Sequence, residues 1–145
     1  MKEYVLGFAF DEKNENVVLI EKQKPEWQRG LHNGIGGKVE PSDGSNYVAM
    51  HREFKEETGL HSLPISWYQF ATMTFENDIL GGGAIVYCFK MFSDRIFQCK
   101  TTEQEEIRIF NVNEVDNIKT VPHLKILISL ALDKTIKGVV ELNMM

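Results

Sequence analysis

Short apolar runs separated by polar or glycine-rich stretches set the pattern of this chain. Tyr4 to Phe10 and Val17 to Lys22 read as strands, and the polar connection from Asp11 to Asn16 predicts a hairpin between them. Lys24 to Leu31, interrupted by Pro25 and Gly30, reads as a loop. The run Asn33-Gly34-Ile35-Gly36-Gly37-Lys38-Val39 holds too much glycine for a comfortable strand. Such density predicts close backbone approach or unusual torsions.

A different pattern begins near Ser45. Residues 45 to 58 predict a helix, with Ser45 as its cap and Gly59 as the left-handed residue that ends it. Tyr47, Val48, Met50 and Phe54 are expected to face the core. Ser66 to Phe75 and Ala84 to Phe92 read as strands joined through Asn77-Asp78 and the run Gly81-Gly82-Gly83, and Ile107 to Val112 as a further short strand. A last helix is expected to start near Pro122 and to carry Leu124, Leu127, Ile128 and Ala131 on one face. The order β-β-loop-α-β-β-β-α predicts an α+β fold, a mixed sheet with helices packed on it. With no internal repeat or linker, one domain is expected over residues 1–145.

Composition narrows the function classes. Hydrophobic residues at 43% and charged residues at 26% fit a folded domain and exclude a disordered one. The net charge of −5 offers no basic footprint, so a nucleic-acid partner is not expected. A nucleotide substrate stays open, because a divalent cation can reverse the local field. Cys88 and Cys99 stand without a CxxC motif or histidine cluster, and no secretory leader is evident. Reduced thiols in a cytoplasmic protein are therefore expected, with Cys88 packed as a small hydrophobe in a strand. No apolar run reaches the roughly 18 residues a membrane span needs, so no membrane partner is expected. Monomer and homodimer remain equally open.

The chemistry concentrates between Gly36 and Leu60. At about 100° per residue, Glu53, Glu56 and Glu57 share one face of the predicted helix. Like charges so close repel, which a solvated surface tolerates and a bound cation would turn to use. Arg52 stands at i,i+4 to Glu56 and can fix a carboxylate by charge-assisted hydrogen bonding. The Gly36-Gly37 turn can bring a bare carbonyl to the same cation, or be a plain turn.

These residues resemble the Nudix signature, G-x5-E-x7-R-E-U-x-E-E-x-G-U, where U is a bulky apolar residue. The chain offers Gly37, then Asp43, then Arg52-Glu53-Phe54-Lys55-Glu56-Glu57-Thr58-Gly59-Leu60. The second half matches at every fixed acidic, basic and glycine position. The first half departs twice: aspartate replaces glutamate, and eight residues rather than seven precede Arg52. The extra residue is placed in the loop around Ser42-Asp43-Gly44-Ser45, since one inside the helix would rotate the carboxylates. Asp43 is then a structural neighbour and not a ligand.

The resemblance implies a Nudix-like α/β/α sandwich and a magnesium- or manganese-dependent hydrolase of nucleoside diphosphate-linked substrates. It implies metal ligation by Glu53, Glu56, Glu57 and the Gly37 carbonyl. Glu53 would orient or deprotonate water, with Arg52 and Glu57 also catalytic. A later acidic residue often joins such a site; Glu106 is the expected one, with Glu105 and Glu103 as rivals. The stretch from Trp27 to Val39 is similar to MutT-type nucleoside triphosphatases. That match implies Asn33 at a base edge and Trp27 in the base pocket, while Lys38 reads equally as a phosphate contact or as a surface lysine. The acidic pair that reads oxidised purines in one such enzyme is replaced by His123-Leu124 after Pro122. ADP-ribose, nucleotide-sugar or dinucleotide hydrolysis, or nucleotide binding without turnover, are the alternatives.

Overall fold

The computed structural model describes residues 1–76 and 82–144. Ten regular elements follow in chain order. Strands β1 (Lys2–Phe10), β2 (Asn16–Glu21), β3 (His32–Asn33) and β4 (Ile35–Lys38) precede helix α1 (Asn46–Thr58). Then come β5 (Tyr68–Phe75), β6 (Ala84–Phe92), β7 (Glu106–Asn111), helix α2 (Leu124–Leu132) and β8 (Val140–Met144). The expected connection through Asn77-Asp78 and Gly81 lies outside the described residues.

One mixed sheet carries the order β3-β2-β1-β6-β5-β8, with β4 also paired to β1 and β7 to β2. β1 with β6 and β5 with β8 are parallel; the remaining pairs are antiparallel. Alternate residues of each central strand serve opposite faces. From β1, Leu6, Phe8 and Phe10 join Leu124, Leu127 and Ile128 of α2 in one core. Val5 and Ala9 join Ala49, Met50 and Phe54 of α1 in the other. The sheet is thus sandwiched between the two helices, the α/β/α arrangement. Each fully buried phenylalanine contributes about 1.5–3 kcal/mol of burial, and Phe8, Phe10, Phe54 and Phe89 are all fully buried.

Three expectations for the strands and α1 need correction. The glycine-rich stretch does form strands: β4 pairs with β1, placing Val5 opposite Gly37 and Leu6 opposite Gly36. Glycine suits them because the backbones approach too closely for side chains. A Cβ on Gly36 would run into the Val5 carbonyl, and one on Gly34 would lie 2.8 Å from the Gly7 carbonyl oxygen. Second, Tyr47 and Val48 do not enter the core as Met50 and Phe54 do, but stay 40% and 36% exposed. Val48 lies about 160° round the helix from Met50, and the residue that takes the core position is Ala49. Third, the strand expected from Ser66 begins at Tyr68, after a 3₁₀ turn over Pro64–Ser66.

The caps of α1 lie where expected. Ser45 Oγ accepts from the Val48 N–H at 3.2 Å, and Gly59 has φ 75° with its N–H on the Lys55 carbonyl. Such caps contribute about 1 kcal/mol and fix where the helix starts. α2 begins later than expected, at Leu124, after His123 in a left-handed conformation whose side chain makes no capping bond. No helix among the described residues is long and apolar enough to cross a membrane.

Candidate active site

Helix α1 and strand β4 meet at the acidic face. Gly37 and Glu53 define that meeting: a Cβ on Gly37 would lie 2.5–2.6 Å from the carboxyl atoms of Glu53. The missing side chain is what lets a buried carboxylate lie directly over the β4 backbone.

Arg52 gathers the surrounding acids. Its Nε donates to Asp43 Oδ1 at 2.7 Å and its Nη2 to Asp43 Oδ2 at 2.9 Å, a two-pronged pairing. Nη1 donates to Glu53 Oε1 at 3.0 Å and to both Glu56 oxygens at 3.3 Å. Nη2 also reaches the Lys38 carbonyl at 3.1 Å, tying α1 to the end of β4. Asp43 itself is buried and also accepts from the Glu40 N–H at 2.8 Å. The Arg52 hydrogen bond, aided by that backbone donor, holds its carboxyl below the usual aspartate range. Glu53 moves the other way: burial raises its pKa, and Arg52 offsets this only in part.

Glu57 is the unsatisfied member. Its Oε2 is buried without a hydrogen-bond partner. Burial first, then the negative charges of Glu103, Glu105 and Glu53, push its carboxyl up to about 7. An uncompensated buried carboxylate among like charges is costly, and either a proton or a cation relieves it.

These features fit a hard cation. The donors are carboxylate oxygens, one of them orphaned, beside a strand whose glycine leaves room for close approach. Among the described residues no three acidic or histidine side chains are already gathered round one point. Glu53 and Glu56 are instead drawn to Arg52.

The later acids part company. Glu103 and Glu105 stand close enough to raise the Glu57 pKa. Glu105 accepts from Gln23 and Lys24 N–H and from Lys22 Nζ. Glu106 sits at the start of β7, bonded to Arg108 at 2.8 Å. Nothing in the sequence signals the Glu105 anchorage, because its donors lie some eighty residues away.

On the other flank, Trp27 is 62% exposed on a 3₁₀ turn (Glu26–Gln28) in the connection from β2 to β3. Asn33 ends β3, half-buried, with its Oδ1 accepting from the Gly34 N–H at 2.8 Å. Lys38 ends β4 and is exposed. His32, beside Asn33, donates from Nδ1 to the Lys119 carbonyl at 2.9 Å and joins β3 to the segment before α2.

A family model described as NUDIX domain matches residues 2–130. No curated protein sequence is significantly similar to this one. Among solved structures, the NUDIX domain of Shewanella oneidensis NrtR complexed with ADP ribose is similar with a TM-score of 0.77 and 17% identity, over 92% of this chain and 88% of that one. A MutT described from Aliivibrio salmonicida and Vibrio cholerae is similar with a TM-score of 0.68 and 21% identity, over 88% and 97%. MutT from Bacillus halodurans gives 0.68 at 18%, over 89% and 80%. NrtR has also been solved with a 27mer DNA.

Proposed function

The chain belongs to the Nudix family and is a Nudix pyrophosphohydrolase, and from that premise we propose that it cleaves a nucleoside triphosphate to the monophosphate and pyrophosphate. The observation that carries this reading is the buried, unpartnered Glu57 oxygen beside Glu53 packed over Gly37. Glu53, Glu56, Glu57 and the Gly37 carbonyl would hold magnesium, or manganese in its place, with Glu103 the later carboxylate nearest in influence to Glu57. A divalent cation bound there supplies neutralisation of phosphate charge and a more acidic water.

The remaining work falls to the chain. Arg52 keeps the acids aligned and stays charged throughout. Glu53, lying over β4 against Gly37, accepts the proton of the attacking water. The water oxygen joins phosphorus, the anhydride bond between the α- and β-phosphates breaks, and pyrophosphate carries away the electron pair. Lys38 at the end of β4 meets phosphate. Asn33 and Trp27 receive the base, the first by hydrogen bonding and the second by stacking.

The likeness to a domain solved with ADP ribose favours a second reading, in which the same acids cleave the diphosphate of ADP-ribose or a related dinucleotide. A binding module without turnover is disfavoured, because Arg52, Glu53, Glu56 and Glu57 are all present. A panel of nucleoside triphosphates, ADP-ribose, nucleotide sugars and dinucleotides with magnesium, read by chromatography, separates the readings. Monophosphate and pyrophosphate from a triphosphate are expected, and activity should vanish with excess chelator. Turnover of ADP-ribose alone, or full activity after chelation, overturns the proposal.

A further inference from the structure

Of the acids near Glu57, Glu105 is the one whose oxygens are already spent. Its Oε2 accepts from the Gln23 N–H at 2.6 Å and from the Lys24 N–H at 3.2 Å, and its Oε1 from Lys22 Nζ at 3.2 Å. All three donors open the connection that carries Trp27. That connection is also closed at its base, where the Lys22 N–H meets the Leu31 carbonyl and the Gly30 N–H meets the Lys22 carbonyl. Its base is therefore shut by backbone bonds, while Glu105 holds it sideways.

The segment presenting Glu105 is itself tied to the end of α1. The Lys100 N–H donates to the Thr58 carbonyl at 3.0 Å, and the Thr102 hydroxyl donates to the Glu56 carbonyl. The Ile107 N–H then donates to the Thr101 hydroxyl at 3.0 Å. A continuous path of bonds runs from the helix bearing Glu56 and Glu57 to the loop bearing Trp27.

We propose that Glu105 is a positioning residue that fastens the Lys22–Leu31 connection against the acidic edge of α1, and so fixes where Trp27 meets the nucleoside. The role rests on the nucleotide reading above. Two neighbouring acids then do different work: Glu105 holds the loop, and Glu106 pairs with Arg108. Charge-assisted bonds to successive backbone N–H groups suit this task, because they hold the chain itself and not a mobile side chain.

The test is Glu105→Ala, with Glu105→Gln as the variant that keeps one acceptor oxygen. For a nucleoside triphosphate, KM should rise on the order of tenfold while kcat stays within about twofold. Ribose 5-triphosphate, which has no base, should show no such rise. Mn2+ binding to the metal-free protein should stay within about twofold of wild type. Acrylamide should quench the exposed Trp27 more readily, while Trp67, only 1% exposed, reports that the core is intact. Glu105→Gln should recover part of the KM, and adding Trp27→Ala to Glu105→Ala should raise KM no further. Weakened Mn2+ binding with a fall in kcat at constant KM would make Glu105 a cation ligand and overturn the proposal. An equal rise in KM for the base-free substrate, or unchanged quenching, also overturns it. If wild type cleaves no nucleotide the functional reading falls, and quenching with Mn2+ titration still decides the fastening.

Discussion

Glu57 and Glu53 show how one helical turn makes two unlike carboxyls. Glu53 is buried but answered by Arg52, whereas Glu57 has a buried oxygen that nothing answers. Replacing Glu57 by glutamine removes a charge from among Glu103, Glu105 and Glu53 while keeping the shape. Turnover of the Glu57→Gln variant should fall by roughly a hundredfold or more. Its melting temperature should equal or exceed that of the metal-free wild type, since a repulsive charge has gone. Wild-type turnover in this variant would remove Glu57 from the site.

At the scale of the element, α1 is held in place by what surrounds Arg52. Asp43 ends a short 3₁₀ turn (Pro41–Asp43), and its pairing with Arg52 joins that turn to the helix. The Lys38 carbonyl joins β4 to the same guanidinium. Asp43→Asn should cost about 1.5–3 kcal/mol at neutral pH, the worth of hydrogen bonds to a charged group, and should lower turnover by loosening Arg52. Because Asp43 is held below its ordinary value near 3.8, its stabilisation is present above that pH and disappears as pH falls through the lower folded value. The gap between wild type and Asp43→Asn in urea should therefore hold constant from pH 5 to 8 and close in acid. A constant gap down to strongly acid pH would show that the pair adds nothing through ionisation.

Over the whole molecule, the sheet separates two cores, and the site lies on the α1 side of it. The same burial silences the thiols. Cys88 is pushed up to about 12 and Cys99 to about 11. At pH 8 neither should react with a disulfide reagent in the native protein, and both should react after denaturation. Since the fold favours the protonated thiols, stability should fall as pH climbs from about 9 toward those values. Rapid native labelling of Cys88 would contradict the packing of β6 against α2.

The existence and type of most elements, the caps of α1 and the shared face of Glu53, Glu56 and Glu57 were legible in sequence. Each depends on short-range periodicity or on backbone preferences of single residues such as Ser45 and Gly59. Strand β8 and the pairing of the glycine stretch with β1 were not legible, because both depend on partners far along the chain. The same holds for the late acids. Glu103, Glu105 and Glu106 are near-equivalent as sequence, and only the fold sends Glu105 to the Trp27 loop and Glu106 to Arg108. Local spacing determines which side chains share a helix face; long-range packing decides what that face meets.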